Sequence, residues 1–338
     1  MSGRSIVVPA GGIGASRFLL GLRAELAATE PEATITVVGN TGDDITLFGL
    51  RVCPDLDTVM YTLGGGVHRE QGWGRAEESY TVQDELGAYG AEPTWFRLGD
   101  RDFATHILRT QMLDAGYSLT DVTAALCARW QPGVRLLPMS DDRVETHVVV
   151  EDDQGRRAVH FQEWWVRMHA ATPALSILPV GVEEARPAPG VLEAVARADV
   201  VLFPPSNPVV SLGPVLAVPG IRDALVAATA PVVGVSPIIG GAPVRGMADA
   251  CLSAIGVATS AGAVAGLFTG VLDGWLVDDA DADLVRDGVP GATDRPVAVR
   301  ALPLLMSDEG ATRAIARAAL DLADELAGQR ADEPSAPR

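Results

Sequence analysis

Short, nearly continuous apolar runs recur along the chain, separated by longer stretches in which apolar residues return every three or four positions. The runs "SIVVPA" (5–10), "TITVVGN" (34–40), "VRLLPMS" (134–140), "DVVLFPPS" (199–206) and "PVVGVSP" (231–237) are rich in β-branched residues. They lack the polar alternation of a half-exposed strand, so they predict strands covered on both faces. Helical periodicity lies between them at 15–28, 102–115, 118–130 and 217–228, and a last helix is expected at 307–327 behind a Ser-Asp-Glu cap. Such alternation predicts an α/β fold, a Rossmann-like parallel sheet with helices on both faces. The stretch "ETHVVVEDDQGRRAVHFQEWW" (145–165) breaks the pattern and predicts an antiparallel hairpin turning at "DDQG". The organisation expected is one α/β domain over 1–327 with a helical cap at about 79–130. The polar segment 328–338 is expected to be a disordered tail.

Composition narrows the class. The 338 residues are 48% apolar and 21% charged, with a net charge of −18. A nucleic-acid surface needs clustered Lys and Arg, so no nucleic-acid partner is expected. The most apolar stretches are broken by Pro and Gly and too short for a bilayer, so no membrane partner is expected either. Cys53, Cys127 and Cys251 are scattered without a CxxC pair, and the five histidines lack metal spacing. A cytoplasmic protein with reduced thiols is expected.

Chemistry-bearing residues should lie beyond the carboxyl ends of the strands. "AGGIGASRF" (10–18) follows the first: Gly11, Gly12 and Gly14 would let backbone approach a phosphate at a helix N-terminus, though a tight strand-to-helix turn needs the same residues. Arg17 occupies the third-glycine place of a dinucleotide fingerprint, and Asn40 stands where a ribose-binding acid would end strand two. A nicotinamide enzyme is therefore disfavoured. After the second strand, "GNTGDDITLFGL" (39–50) places Asp43 beside Asp44, a pair suited to a divalent cation or to a solvated turn. "CPDLDTVMYTLGGG" (53–66) reads as a helix start with Asp55 as N-cap and Asp57 in the first turn, where an acid also complements the helix dipole. "PPSNPVVSLGP" (204–214) offers Ser206, Asn207 and Pro208 in a rigid polar turn or a plain connector. Two further clusters are "RLGDRDFATH" (97–106), with Arg97, Asp100, Arg101, Asp102 and His106, and the Asp141-Asp142 pair of "MSDDRVETH" (139–147). The aromatics of "HFQEWW" read as packing rather than as a ligand shelf.

In the same order, "GGIG", "GDD", "CPDLDTVMYTLGGG", "LGDRDFATH", "LLPMSDDRVETH", "HFQEWW", "PPSNPVVSLGP", "SPIIGGAPVRGMAD" and "LLMSD" resemble the 2-phospho-L-lactate transferases of coenzyme F-420 biosynthesis (CofD/FbiA). The resemblance spans residues 5 to about 325 and is strongest to the actinobacterial FbiA branch, the phosphoenolpyruvate transferases. It implies transfer of a phospho-three-carbon acid from a guanosine diphosphate adduct to the terminal hydroxyl of the deazaflavin Fo, with release of GMP, dependence on Mg²⁺ and a homodimer. By the same resemblance Gly11, Gly12, Gly14, Arg17, Ser206, Asn207 and Pro208 form the nucleotide region. Asp57 and Arg97 contact Fo; Asp57 is the catalytic candidate and, with Asp43 and Asp44, a metal candidate. Pro9 before the glycine turn and Gly240-Gly241 depart from the family pattern. Enolpyruvyl and lactyl donors stay open. So does a non-catalytic nucleotide-sugar-binding regulator of related fold, although the Asp pair here is followed by "ITLFGL" rather than Gly-Gly-Ser-Ser.

Overall fold

A computed structural model describes residues 3–289 and 296–332. Its first strand shows why the apolar runs do not alternate with polar residues. Along β1 (Ser5–Ala10), Ile6, Val8 and Ala10 enter one core and Val7 the other, all of them fully buried. Successive strand residues point to opposite faces, so only a sheet covered by helices on both sides can bury such a run. The strands β2 (Thr34–Gly39), β3 (Arg135–Pro138), β4 (Val200–Phe203), β5 (Val232–Val235), β6 (Gly274–Val277) and β7 (Ala298–Ala301) complete a sheet in the order β7-β6-β5-β4-β1-β2-β3. Every pairing is parallel. Strands β6 and β7 are not among those expected: they are as long as β3, β4 and β5, but β6 opens on Gly274 and β7, at the sheet edge, is half-buried and carries Arg300.

On one face pack α1 (Gly12–Thr29), α2 (Pro54–Leu63), α4 (Leu119–Trp130) and α5 (Glu309–Asp332), with α3 (Asp100–Asp114) lying against α4. Leu119, Val122 and Leu126 of α4 join the core under the sheet. The expected cap over 79–130 therefore divides: α4 is a crossover helix of the main layer. The earlier part caps itself reciprocally. Asp100 accepts from the amides of Thr81 and Val82 at the start of helix Thr81–Ala88, and Glu78 accepts from those of Arg101 and Asp102 at the start of α3. Asp141 accepts from the amide and hydroxyl of Thr120, a structural use of that pair.

The hairpin is present as Glu145–Asp152 paired with Gly155–His160, and Ala174–Val180 adds a third antiparallel strand. The helix expected at 217–228 is two, Gly213–Ala217 and Ile221–Ala227, broken where Pro219 removes a donor and Gly220 takes φ 90°. The last helix starts as expected, with Asp308 accepting from the amide of Ala311 at 2.8 Å. It runs on to Asp332, so 328–332 is helical rather than the beginning of a tail, and 333–338 lies outside the described residues. Among the described residues no single helix is long and apolar enough to cross a membrane. One bent pair, Pro208–Ala217 with Ile221–Ala227, has the length and composition of a broken span, but its Leu212, Val215, Leu216, Ile221 and Leu225 are buried in the core.

Candidate functional site

Chain direction across the sheet reverses between β1 and β4, and in such sheets ligands bind in the crevice beyond the strand ends at that point. Two turns meet there, and they meet tightly. A Cβ on Gly14 would lie 2.2 Å from the carbonyl oxygen of Pro205, so only glycine fits, while Gly12 holds φ at +71°. The Ser206 hydroxyl donates to the carbonyl of Gly11 at 2.9 Å. Asn207 turns its side-chain oxygen to the amides of Val209 and Val210, at 2.9 and 3.3 Å, and so caps the helical turn Pro208–Leu212.

The acids of "PDLD" take partners that spacing did not suggest. Asp55 is not the N-cap of α2; Cys53 holds that position without a side-chain bond, because Pro54 is the first helical residue. The Asp55 carboxylate instead accepts from the amide of Gly12 and from Asn40 Nδ2, both at 2.8 Å, tying α2 to the glycine turn and to the end of β2. Asn40 also donates to the carbonyl of Val210 and accepts from the amide of Gly42. That structural bridge explains why an amide, not a ribose-binding acid, ends β2. Burial pushes the Asp55 carboxyl up to about 6 against the two hydrogen bonds that favour its charge.

Asp57 forms a two-pronged ion pair with Arg109 of α3: Nη1 donates to Oδ2 at 3.1 Å and Nη2 to Oδ1. Both side chains are buried, and Arg109 also donates to the carbonyl of Arg51 at 3.3 Å. His106 Nδ1 lies 3.1 Å from Arg109 Nη1 and 3.8 Å from Asp57. Burial, aided by Arg109 and resisted by Asp57, lowers His106 to about 4, so it is neutral near pH 7 and its Nδ1 accepts from the guanidinium.

The Asp43-Asp44 pair separates. Asp44 turns to Arg51, whose Nη2 donates at 3.2 Å, and burial raises its carboxyl to about 7 despite that cation. Asp43 is buried with Oδ1 lacking any hydrogen-bond partner; burial first, and Asp55 beside it second, push it well above the usual carboxylate range. Among the described residues no three His, Cys, Asp or Glu side chains converge as metal ligands. Asp44 and Asp57, expected with Asp43 as one metal set, are each matched by an arginine.

A cavity of about 480 Å³ opens over these turns. Gly11, Gly12, Gly14 and Arg17 line it from α1, Ser206 and Asn207 from the β4 turn, and Asp43, Asp55 and Asp57 from below. Arg97 reaches it from the surface, with more than half of its side chain exposed and its guanidinium 4.2 Å from the centre of the Tyr80 ring. Asp44 and Pro208 do not line it. Four lining residues had been assigned to packing or left without a role. Phe161 and Trp165, from "HFQEWW", and Trp73 give it aromatic walls, and Arg245 ties the 240s loop to the carbonyl of Gln71 at 2.6 Å. Arg109 was missed although a signal existed: Asp102, His106 and Arg109 recur at helical spacing, on one face of α3.

Comparison with known proteins adds identity to this geometry. Residues 6–299 match the family model described as 2-phospho-L-lactate transferase CofD. A protein of Thermobifida fusca named phosphoenolpyruvate transferase is 67% identical over 326 residues, covering 95% of this chain and 98% of its own. Proteins of that name from Streptomyces coelicolor and Mycolicibacterium smegmatis are 64% and 53% identical, over 95% and 94% of this chain and 98% of each of theirs. The crystal structure of a UPF0052-family protein of Bacillus halodurans superposes with a TM-score of 0.58 at 18% identity, covering 95% of this chain and 99% of its own, a likeness of fold alone. The chain belongs to the CofD family of 2-phospho-L-lactate transferases, on the actinobacterial branch whose members are named phosphoenolpyruvate transferase.

Proposed function

We propose that this chain transfers a phosphoenolpyruvyl, or 2-phospho-L-lactyl, group from a guanosine diphosphate adduct to the terminal hydroxyl of Fo, in coenzyme F-420 biosynthesis. The observation that carries the proposal is a single cavity joining a glycine turn at a helix N-terminus to buried acids and aromatic walls. The names of its close relatives support the same reaction class.

In this reading the hydroxyl oxygen of Fo forms a new bond to the phosphorus carrying the three-carbon acid. The bridging P–O bond breaks, and GMP leaves with the bridging oxygen. The hydroxyl proton passes to a carboxylate or to water. Such a transfer depends chiefly on alignment and on neutralising charge. The first amides of α1 beyond Gly12 lack intrahelical partners and face the diphosphate. The Gly12 amide is already bonded to Asp55, so it shapes the turn rather than binding phosphate.

Asp43 fits a divalent cation, since its unpartnered buried oxygen needs a positive charge and Asp55 adds a second carboxylate nearby. Mg²⁺, if held by Asp43 with Asp55 beside it, would supply positive charge to neutralise the leaving group. Asp57, fixed by Arg109, presents a rigid acceptor to the Fo hydroxyl and orients it. Arg97 at the rim is placed to hold the far part of Fo. The test is to incubate the protein with Fo, Mg²⁺ and each donor in turn, following GMP and the mass of the deazaflavin product. Product from one donor identifies the three-carbon acid. Binding of donor and Fo without GMP from either donor would refute the transferase reading, and full turnover in excess EDTA would remove the metal.

A further inference from the structure

The reaction proposed above leaves one wall of the cavity unexplained. Asp102, in the first turn of α3, lines the cavity and is 8% exposed. Its Oδ1 is buried without a hydrogen-bond partner. Arg75 acts on it as a cation, but that guanidinium lies over Trp130, 4.9 Å from the ring centre, and donates to the carbonyl of Arg101 at 3.1 Å. Among the described residues Asp102 has no ion pair. Burial first, then Asp57 and Glu78, push its carboxyl up to about 7, resisted by a hydrogen bond with the Tyr61 hydroxyl, which lies 2.8 Å from Thr105 Oγ1; only Oδ1 is left without a partner. Beside it the loop residue Gly74 has no side chain, and a Cβ there would come within 3.7 Å of Asp102 Oδ2.

A buried carboxyl oxygen without a donor costs free energy that the fold alone does not recover. Its complement is a neutral N–H or O–H. A diphosphate or carboxylate brings only acceptor oxygens and negative charge, so it supplies no donor for this wall. Two sources of a neutral donor remain, the acceptor and the guanine ring. The aromatic walls and Asp57, which the proposed function assigns to the acceptor, favour the first.

We propose that Asp102 binds the acceptor, its free carboxyl oxygen accepting a hydrogen bond from an O–H or ring N–H of Fo and so setting specificity for a hydroxyl-bearing planar substrate. This rests on the transferase reading, and the experiment separates the two. Steady-state rates are measured for wild type and for Asp102→Ala and Asp102→Asn, varying Fo and the guanosine donor in turn, with thermal melts and equilibrium dialysis of Fo alone. Asp102→Ala should raise the KM and the Kd for Fo about 10- to 100-fold, the range expected when a buried hydrogen-bonding group loses its partner. Donor KM should stay within about twofold and kcat within a few-fold. Asp102→Asn, which keeps a carbonyl oxygen at the same reach, should rise less. The melting temperature of Asp102→Ala should stay close to or exceed that of wild type, because a buried carboxyl oxygen without a partner has been removed; a purely structural residue would lower it.

An unchanged Fo constant in the folded Asp102→Ala protein overturns the proposal. So does a rise confined to the donor, which would place guanine there, or a loss spread over kcat and both substrates with a lower melt. Wild type that binds Fo but releases no GMP sinks the transferase reading, while the dialysis ratio still decides Asp102. Wild type that neither binds nor uses Fo overturns both.

Discussion

Replacing Asp57 by Asn tests the arrangement most sharply, because two expectations for it diverge. If Asp57 were a first-turn acid pointing into solvent, the loss of its charge would cost only the dipole contribution, about 0.3–1 kcal/mol. In the structure it is the counter-charge of Arg109, and the two side chains are 7% and 2% exposed. Burial opposes the charge of that guanidinium, and Asp57, with smaller help from Cys53 and Tyr61, offsets it. Asp57→Asn leaves the cation buried and unmatched, which costs about 3–5 kcal/mol. At about 2–3 °C per kcal/mol for a chain of this size, the melting temperature should fall by about 6–15 °C. Adding Arg109→Met removes the stranded charge, and the double variant should regain more than half of the lost stability. Calorimetric melts of the wild type, both singles and the double close the cycle. A single variant melting within about 2 °C of wild type, or a double melting below both singles, would refute the argument. Initial rates on the same samples separate stability from chemistry. If Asp57 orients the hydroxyl, turnover stays at least about 10²-fold down in the double variant even as its melt recovers; recovered turnover would make the pair structural only.

Three further outcomes are expected. Millimolar MgCl₂ should raise the melting temperature of the wild type and leave Asp43→Asn unmoved; an equal rise in both would place the cation elsewhere. Asp55→Ala strands the Gly12 amide and removes a partner of Asn40, so it should cost about 1–3 kcal/mol and weaken donor binding, read by melts and by donor KM. His106 is held neutral with its value lowered to about 4, so the unfolded chain takes up its proton first; the stability this gives is whole above about pH 6.5 and lost toward pH 4. His106→Gln should therefore gain relative to wild type as the pH falls through that window, and a pH-independent difference would contradict the buried neutral imidazole.

The sequence by itself determined the layered α/β fold, because runs such as Ile6-Val7-Val8 have no polar residue to spend on solvent and must be covered on both faces. It also showed that the glycine turn after β1 and the Pro-flanked turn after β4 follow strand ends, and the structure brings those two turns together. Strands β6 and β7 were not legible, because β6 opens on Gly274 and β7, at the edge of the sheet, is half-buried and carries Arg300, so neither reads as a β-branched apolar run. Only the tertiary structure decided which acid meets which partner. Asp55 and Gly12 are 43 residues apart, and Asp57 and Arg109 are 52 apart. Local spacing assigned Asp55 to a cap and freed Asp57, whereas packing of α2 against α1 and α3 reversed both. A carboxylate buried in a low-dielectric interior takes the nearest donor or cation in space, and nearness in space is settled by the sheet order, which no local pattern encodes.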